Sequence, residues 1–451
     1  VLTVAYLANL FPAAVEPYVG EEIEELRQRG VHVIPGSVRR PDATELESAS
    51  ASSAREILCL QPIRVLPLLR ALGLLLRRWK RIAGPLMQVL LRGKESPKRR
   101  LKALLHTWLG AYYGVLLRER GVNHIHVHHG YFGAWIGMVA AQLLGVGYSV
   151  TLHGSDLLLN GAYLETKLKQ CRFCVTVSNY NRQFILQHFS AVDPGKIMVS
   201  RLGVNVQEDV DFLRGLGCRA HRTLAMLAVG RLHAVKDHAF LIRACARLRD
   251  RGLDFECVIA GEGPERQGLE LLIRENRLQD RVTLLGHVPR EQMDALYRHA
   301  DVVALTSRSE GIPLVLMEAM VRGGIVLAPA ITGIPELVIP GKTGFLYAPG
   351  SLQDFVAKVS FLRKQLREED SSAVSRLDWM RHAARAQVLH NFNRRKNLTH
   401  FGDLFLQRIA PQVFADRNLA DQSFSDQSFS DQDFADHDWS TSHEDLVLQQ
   451  I

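Results

Sequence analysis

The chain is poor in cysteine, with six in 451 residues, at positions 59, 171, 174, 218, 245 and 257. That is too sparse for a disulfide scaffold and points to a reducing, cytosolic setting. Cys171 and Cys174 form one C-x-x-C, with no second pair to complete a zinc site. Apolar Val175 and Val177 follow, so buried thiols leading into a strand are expected. Long apolar runs are also missing. The longest, Val65 to Leu76, is too short to cross a bilayer and carries Arg70. The opening "VLTVAYLANLFP" has neither a basic leader region nor a long apolar run, so no signal peptide is expected there. Aromatics are only 7%, but hydrophobic residues reach 47%, the composition expected of a soluble globular chain that buries a real core. The length suits two or three domains.

Charge of one sign is missing from two segments. From Arg64 to Lys102, Glu95 is the one acid among twelve Lys and Arg. From Pro411 to Ile451, Arg417 is the one base among nine Asp and Glu. The net charge is +8 and this tail contributes −8, so the rest of the chain carries +16. The tail repeats every five residues, "ADRNLADQSFSDQSFSDQDFADHDWS", and its large apolar residue falls three positions after Asp. A β-solenoid needs that residue directly after the acidic one, so a disordered tail at 411–451 is expected, able to touch the basic segment electrostatically. Residues 64–102 interleave leucines with Arg and Trp79. Two readings stay open: a face that lies on an anionic membrane surface, as a lipid-linked acceptor would require, or a helical insertion with a solvated basic face. No nucleic-acid-binding module accompanies the charge, so nucleic acid is not an expected partner.

What is present is an alternation of strands and helices. "VLTVAYLA" reads as a strand, a polar turn follows, and "VGEEIEELRQRG" reads as a helix with Val19, Ile23 and Leu26 on one face and Gly30 as its stop. "VHVIPGSV" is the next strand, which makes the β-loop-α-β opening of a doubly wound sheet. Residues 55–120 read as a mostly helical, basic insertion. Strands then recur at "HIHVHH", "YSVTLHG" and "CVTVS". After a boundary near 204–222 the alternation restarts at "TLAMLAVGRL" and runs to a last short strand at Phe345 to Tyr347. The expected organisation is a first α/β domain at 1–203, a second at 204–390, a crossing helix at 391–410 and the tail. Two such domains place a cleft between them at the carboxyl ends of both sheets.

Three stretches carry chemistry. In "SEGIPLVLMEAMVRGG", Glu310 sits in a loop after an apolar strand, Pro313 suits a first helical turn, and Glu318 lies among apolar neighbours. A carboxylate so placed needs a partner. The helix start offers the N–H groups of Gly311 to Leu314, including Ile312, to an anion. Two carboxylates with such a nest suit a sugar nucleotide, and a buried helix whose Glu318 pairs with a nearby Arg suits the same pattern. In "AVGRLHAVKD", Gly230 lets the backbone turn, and Arg231 and Lys236 bring two cations to a strand end. They suit the charge of a departing nucleoside diphosphate without Mg²⁺, or are surface cations in water. In "VTLHGSD", a strand delivers His153, Gly154 and Asp156 to the cleft, unless Ser155 or Asp156 simply caps the next helix.

Together these stretches resemble the retaining glycosyltransferases of the large family 4. The marks are a Gly-Arg-Leu loop with Lys five residues after the Arg, a Glu-x7-Glu pair, and Thr-x-His-Gly-x-Asp, here in the same order. "LGVN" at Leu202 to Asn205 and "GIPELVIPGKTGFLYAPG" extend the likeness, which covers about residues 1 to 405. The opening is similar to the subgroup that makes exopolysaccharides and colanic acid. That subgroup has Ser-Glu-Thr-Phe where this chain has Val15-Glu16-Pro17-Tyr18, and many members have Gly where Asp237 stands. The resemblance implies the GT-B fold, two Rossmann-like domains facing a central cleft, and transfer of a hexose from a nucleoside-diphosphate sugar to a glycan or lipid-linked acceptor. It implies that Arg231 and Lys236 grip the diphosphate, Glu318 holds the ribose, Glu310 binds the transferred sugar, and His153 touches that sugar from the opposite domain. It further implies that a helix from about Arg394 to Ile409 crosses back onto the first domain. Glu16, Tyr18, His128, His129 and Asp156 are assigned to the acceptor side. No cofactor is expected.

"HIHVHHG" puts His124, His126 and His128 on one side of a strand, which suits a metal face. No other stretch supplies ligands at matching spacing, and the resemblance implies chemistry without metal, so no metal site is expected. An epimerase or phosphorylase on the same fold and a non-catalytic binding subunit remain the alternative functions.

Overall fold

The computed structural model describes residues 2–13, 16–42, 46, 56–93, 95–159, 161–206, 223–367 and 371–412. The acidic repeat and most of the 204–222 boundary lie outside the described residues.

Two parallel sheets are present, as the alternation of strands and helices predicts. The first has seven strands: β1 (Thr3–Ala8), β2 (His32–Ser37), β3 (Leu58–Cys59), β4 (His124–His128), β5 (Gly147–Leu152), β6 (Phe173–Thr176) and β7 (Ile197–Val199). Their order is β3-β2-β1-β4-β5-β6-β7. The second has six: β8 (Leu224–Val229), β9 (Phe255–Ala260), β10 (Val282–Gly286), β11 (Val302–Ala304), β12 (Ile325–Pro329) and β13 (Phe345–Tyr347), in the order β10-β9-β8-β11-β12-β13. The short edge strand β3 falls inside the segment expected to be helical. It pairs Leu58 with Gly36 and Cys59 with Ser37.

Every residue of β1 is buried, as in a central parallel strand covered on both faces. In each sheet the first strand is flanked on one side by the second and on the other by a later one. The strand order therefore reverses beside β1 and beside β8, opening a crevice at their carboxyl ends.

The helix Phe132–Leu144 is apolar all round and buried nearly throughout, so it needs cover on its outer side as well as on the sheet side. The insertion supplies it. Helices Val65–Arg78, Lys80–Arg92 and Pro97–Leu117 pack over it, and Trp135 Nε1 donates to Thr107 Oγ1 at 2.9 Å. The helix ends at Gly145, whose φ of 80° is left-handed.

The helix Arg394–Ile409 packs on the first domain. Phe401, Phe405 and Leu406 join the core of Val4, Tyr6, Val19 and Ile23. Arg394 donates to Glu21 at 2.8 Å and to the Gly203 carbonyl at 3.2 Å. Gly203 leaves room for the crossing, because a Cβ there would lie 2.5 Å from the Phe392 carbonyl oxygen.

Candidate active site

The strand ends at the two crevices bring most of the sequence-selected residues together. β8 runs out at Val229, and the Gly230–Arg231 turn rests on the loop after β9. A Cβ on Gly261 would collide with the Gly230 carbonyl, so only glycine fits there. Arg231 is exposed at the turn. Lys236 is half-buried, and its Nζ donates to Glu310 Oε1 at 2.5 Å. The sequence pattern assigns these two groups to different parts of a donor and does not show that they pair.

Asp237 has φ 48°, left-handed, which accounts for the glycine many relatives carry there. Two contacts hold the aspartate in place. Its Oδ1 accepts from Phe240 N at 3.3 Å, capping the helix His238–Asp250, and Arg308 Nε donates to Oδ2 at 2.7 Å.

The helix Leu314–Val321 starts one residue after Pro313, which stands at the N-cap. Proline has no N–H, so the nest expected at Gly311 to Leu314 is reduced to Gly311, Ile312 and Leu314. Glu318 is partly exposed. Its carboxylate is held by the Tyr297 hydroxyl at 2.8 Å rather than by an arginine. Arg322 instead bonds the Glu318 backbone carbonyl at 3.0 Å and Asp294 at 2.6 Å.

The first domain meets this loop directly. A Cβ on Gly154 would lie 2.8 Å from Gly311 N, and one on Gly311 would lie 2.8 Å from the His153 carbonyl oxygen. Glu336 ties the domains nearby. It accepts from Asn179 N at 3.1 Å and Tyr180 N at 2.7 Å, at the start of the helix Asn179–His188, and from Arg201 at 3.3 Å. Nothing in the sequence pattern marks Glu336 for that role.

On the acceptor side, Glu16, Tyr18, His128, His129 and His153 form one cluster. Tyr18 stacks on His128 at 5.4 Å and on His153 at 4.9 Å. Glu16 Oε1 lies 3.6 Å from His129 Nε2. Two placements correct the sequence reading. His128 is fully buried beneath the Tyr18 and His153 rings and does not line the cleft itself. Asp156 is also fully buried. Its Oδ1 accepts from His153 N at 3.1 Å and Gly154 N at 2.9 Å, and its Oδ2 from Gly130 N at 2.8 Å. Asp156 thus shapes the His153 loop from a fully buried position rather than lining the cleft.

Behind the cluster lie residues that the motifs do not include. The Tyr6 hydroxyl donates to Glu22 Oε2 and lies 3.0 Å from His128 Nδ1. Glu22 Oε2 is 3.2 Å from His128 Nδ1, and His128 Nε2 is 2.6 Å from His153 Nε2. Burial holds His128 and His153 well below the usual imidazole range, so both rings are neutral. Burial pushes Glu22 up to about 8, partly offset by the Tyr6 hydrogen bond. Lys167 is buried and donates to the carbonyls of Gly130, Tyr131 and Ala162, and burial brings it down to about 7, partly offset by Asp156 and Glu95.

Comparison with known proteins decides the family. The model of "Glycosyl transferases group 1" matches residues 220–373, and "Glycosyltransferase Family 4" matches residues 15–208. The amylovoran biosynthesis glycosyltransferase AmsK of Erwinia amylovora is 30% identical over 297 residues, 63% of this chain and 70% of that protein. The chain belongs to the family 4, group 1 glycosyltransferases. The Salmonella typhimurium protein assigned to colanic acid biosynthesis as glycosyltransferase WcaL is 33% identical over 206 residues, 44% of this chain. The chain spans about half the length of that relative, 48%. The fold is GT-B. The crystal structure of Anabaena HepE with UDP-glucose superposes with a TM-score of 0.62 at 17% identity, covering 90% of this chain and all of that one.

Proposed function

We propose that this glycosyltransferase is a retaining enzyme that moves a hexose from a nucleoside-diphosphate sugar to a glycan or lipid-linked acceptor in surface polysaccharide biosynthesis. The observation that carries the reading is the meeting of the Lys236–Glu310 pair with the His153–Gly154 loop across the cleft. The amylovoran and colanic acid relatives support the polysaccharide setting. The nucleotide sugar bound by the Anabaena neighbour supports the donor class.

On this reading residues 1–203 carry the acceptor side, 204–390 the donor side, and 391–410 the crossing. A donor diphosphate enters beside Arg231 and Lys236, and Lys236 exchanges part of its contact with Glu310 for phosphate oxygens. Both cations neutralise the charge that grows on the leaving diphosphate. Glu310, freed of its partner, takes hydroxyls of the transferred sugar, while Glu318, oriented by Tyr297, takes the ribose hydroxyls. The amides of Gly311 and Ile312, just ahead of the helix Leu314–Val321, are assigned to the same sugar. His153 contributes from the other domain. No side chain is assigned as a covalent nucleophile. The sugar passes through an oxocarbenium-like state and is attacked on the face the diphosphate leaves. Two fixed cations at the diphosphate support turnover without a divalent ion.

The enzyme is proposed to work on the cytoplasmic face of a membrane. No helix among the described residues is long and apolar enough to cross one. The insertion instead turns apolar residues outward: Val65, Leu66, Leu69, Leu72 and Leu76 are 50–74% exposed, beside Trp79 and the basic side chains of the same helices. An apolar row flanked by Arg and Lys suits a surface of anionic lipid.

The test is release of nucleoside diphosphate from UDP-, GDP- and ADP-sugars in chelator, with and without lipid extract. Release from one donor, raised by lipid, supports the reading. A donor converted without any acceptor points to an epimerase, use of phosphate as acceptor points to a phosphorylase, and donor binding without turnover points to a binding subunit.

A further inference from the structure

The buried groups Glu22, Tyr6 and His128 have no part in gripping the donor, yet their hydrogen bonds end on His153, the histidine that reaches the cleft. Its spacing decides what it shares. His128 Nε2 and His153 Nε2 are 2.6 Å apart, whereas two nitrogens on one tetrahedral zinc stand about 3.3 Å apart. The separation fits a shared proton rather than a shared ion.

With both rings neutral, each imidazole has one N–H and one bare nitrogen. One proton therefore lies between the two Nε2 atoms, and its owner is fixed by what happens at His128 Nδ1. When Glu22 is a carboxylate it accepts from the Tyr6 hydroxyl, and the Tyr6 oxygen accepts in turn from His128 Nδ1–H. His128 Nε2 is then bare, His153 Nε2 carries the shared proton, and His153 Nδ1 is an acceptor. When Glu22 is protonated, its hydroxyl donates to the Tyr6 oxygen, and the Tyr6 hydroxyl donates to His128 Nδ1. His128 Nε2–H then donates to His153 Nε2, and His153 Nδ1 becomes a donor. One proton on Glu22, two residues removed, reverses the polarity of the ring atom left for a ligand.

We propose that Glu22 is a positioning residue that acts through His128 to set which nitrogen of His153 carries the proton, and so whether His153 offers the sugar a donor or an acceptor. This rests on the reading above that His153 touches the transferred sugar. Glu22 is faced by Tyr6 from β1, by His126 and His128 from β4, by His129 just beyond it, and by Tyr18 on its own helix. It also shares a small pocket at the domain junction with Glu21, Arg201 and Arg394. Burial in this setting brings its titration into the working range, to about 8.

The experiment is nitrogen-15 NMR of histidine-labelled full-length protein without substrate, followed from neutral to alkaline pH, with His153 assigned by its absence in a His153→Ala sample. The expected result is exchange of the protonated and bare nitrogens of His153 near the titration of Glu22, from Nδ1–H at lower pH to Nε2–H at higher pH. Glu22→Gln abolishes the exchange and leaves one tautomer at all pH values. Tyr6→Phe, which removes the hydroxyl that links Glu22 to His128 Nδ1, also leaves one tautomer at all pH values and covers the case that Glu22→Gln does not fold. A His153 tautomer independent of pH in the wild type, an exchange that survives Glu22→Gln, or loss of the His128 and His153 signals into zinc-shifted positions on addition of zinc overturns the relay. Because no donor is present, the relay and the transferase reading fail separately. An active enzyme with a fixed tautomer sinks the relay alone, and a switching His153 in a protein that turns over no donor sinks the transferase reading alone.

Discussion

Gly154 of one domain and Gly311 of the other approach so closely that a Cβ on Gly154 would stand 2.8 Å from Gly311 N, and one on Gly311 would stand 2.8 Å from the carbonyl oxygen of His153, the residue before Gly154. Real Cβ atoms do not come that close to backbone, so the two loops meet only because both residues are glycine. Gly154 lies at φ −156° and ψ −77°, outside the left-handed region, so what glycine provides against Gly311 is space. Gly154→Ala is expected to hold the loops apart by several tenths of an ångström. Displacements of that order at a reacting centre cost roughly 10–100-fold in turnover. Nucleoside diphosphate release should fall by that factor while thermal melting stays near the wild type. Full activity in Gly154→Ala would show that the closed contact is not needed for transfer.

Lys236 and Glu310 make a second relationship that can be measured. The pair is 12–23% exposed, so removing one partner leaves a partly desolvated charge behind. Lys236→Ala and Arg231→Ala are expected to lower kcat by roughly 10²–10³-fold, the usual loss when a group that stabilises departing charge is removed. Glu310→Gln should also lower kcat, and the double variant Lys236→Ala with Glu310→Gln should lose much less than the product of the singles, because each single leaves its partner unpaired. Strictly multiplicative losses would show that the two groups act independently in turnover.

The parallel sheets, the cleft and the donor motifs were legible because they are local. A mostly apolar β1, a Gly-Arg turn at a strand end and a Glu-x7-Glu spacing each announce themselves within a few residues. Glu22 was not legible from its motif, but its spacing gives it away. It falls three residues after Val19 and one before Ile23, on the buried face of its own helix, and a carboxylate there requires a partner. Tyr297 and Glu336 could not be found that way, since their partners stand 21 and about 157 residues off in the chain. His128 misled in the opposite sense. A strand-end histidine beside a cleft is expected to line it, but the Tyr18 ring, from the helix Pro17–Gln28 that follows β1, covers it. Asp156 has the same lesson, because three backbone N–H groups consume its carboxylate.

The insertion is expected to dock on lipid through its outward leucines. Leu69 is 60% exposed and Leu76 74% exposed. Changing both to Glu removes apolar contact and adds two charges of the wrong sign, each worth about 1 kcal/mol near an anionic surface. The double variant should no longer float with vesicles containing phosphatidylglycerol, while the wild type does. Exposed substitutions of this kind change stability by only about 0.5 kcal/mol, so melting should be unaffected. Equal flotation of the wild type on neutral vesicles, or no flotation at all, would remove the membrane from the proposed function.

Glu22 also gives stability a pH dependence whose sign can be worked out. In the unfolded chain the carboxyl titrates at its ordinary value of 4.5, and in the fold burial raises it to about 8. Between those values the folded state holds a proton that the unfolded state has released. Folding stability therefore falls as pH rises through this window, by about 1.4 kcal/mol per pH unit from this one group, and levels off above the folded value. Glu22→Gln cannot ionise, so the variant should lose this contribution. Urea unfolding of both proteins at several pH values isolates it, because every other titrating group is common to the two. The difference in stability, variant minus wild type, should grow in the variant's favour from pH 5 to pH 8 and then stop growing. A flat difference across that range would mean that Glu22 is already ionised in the folded protein, and that the Tyr6 hydrogen bond stabilises the carboxylate enough to cancel its burial.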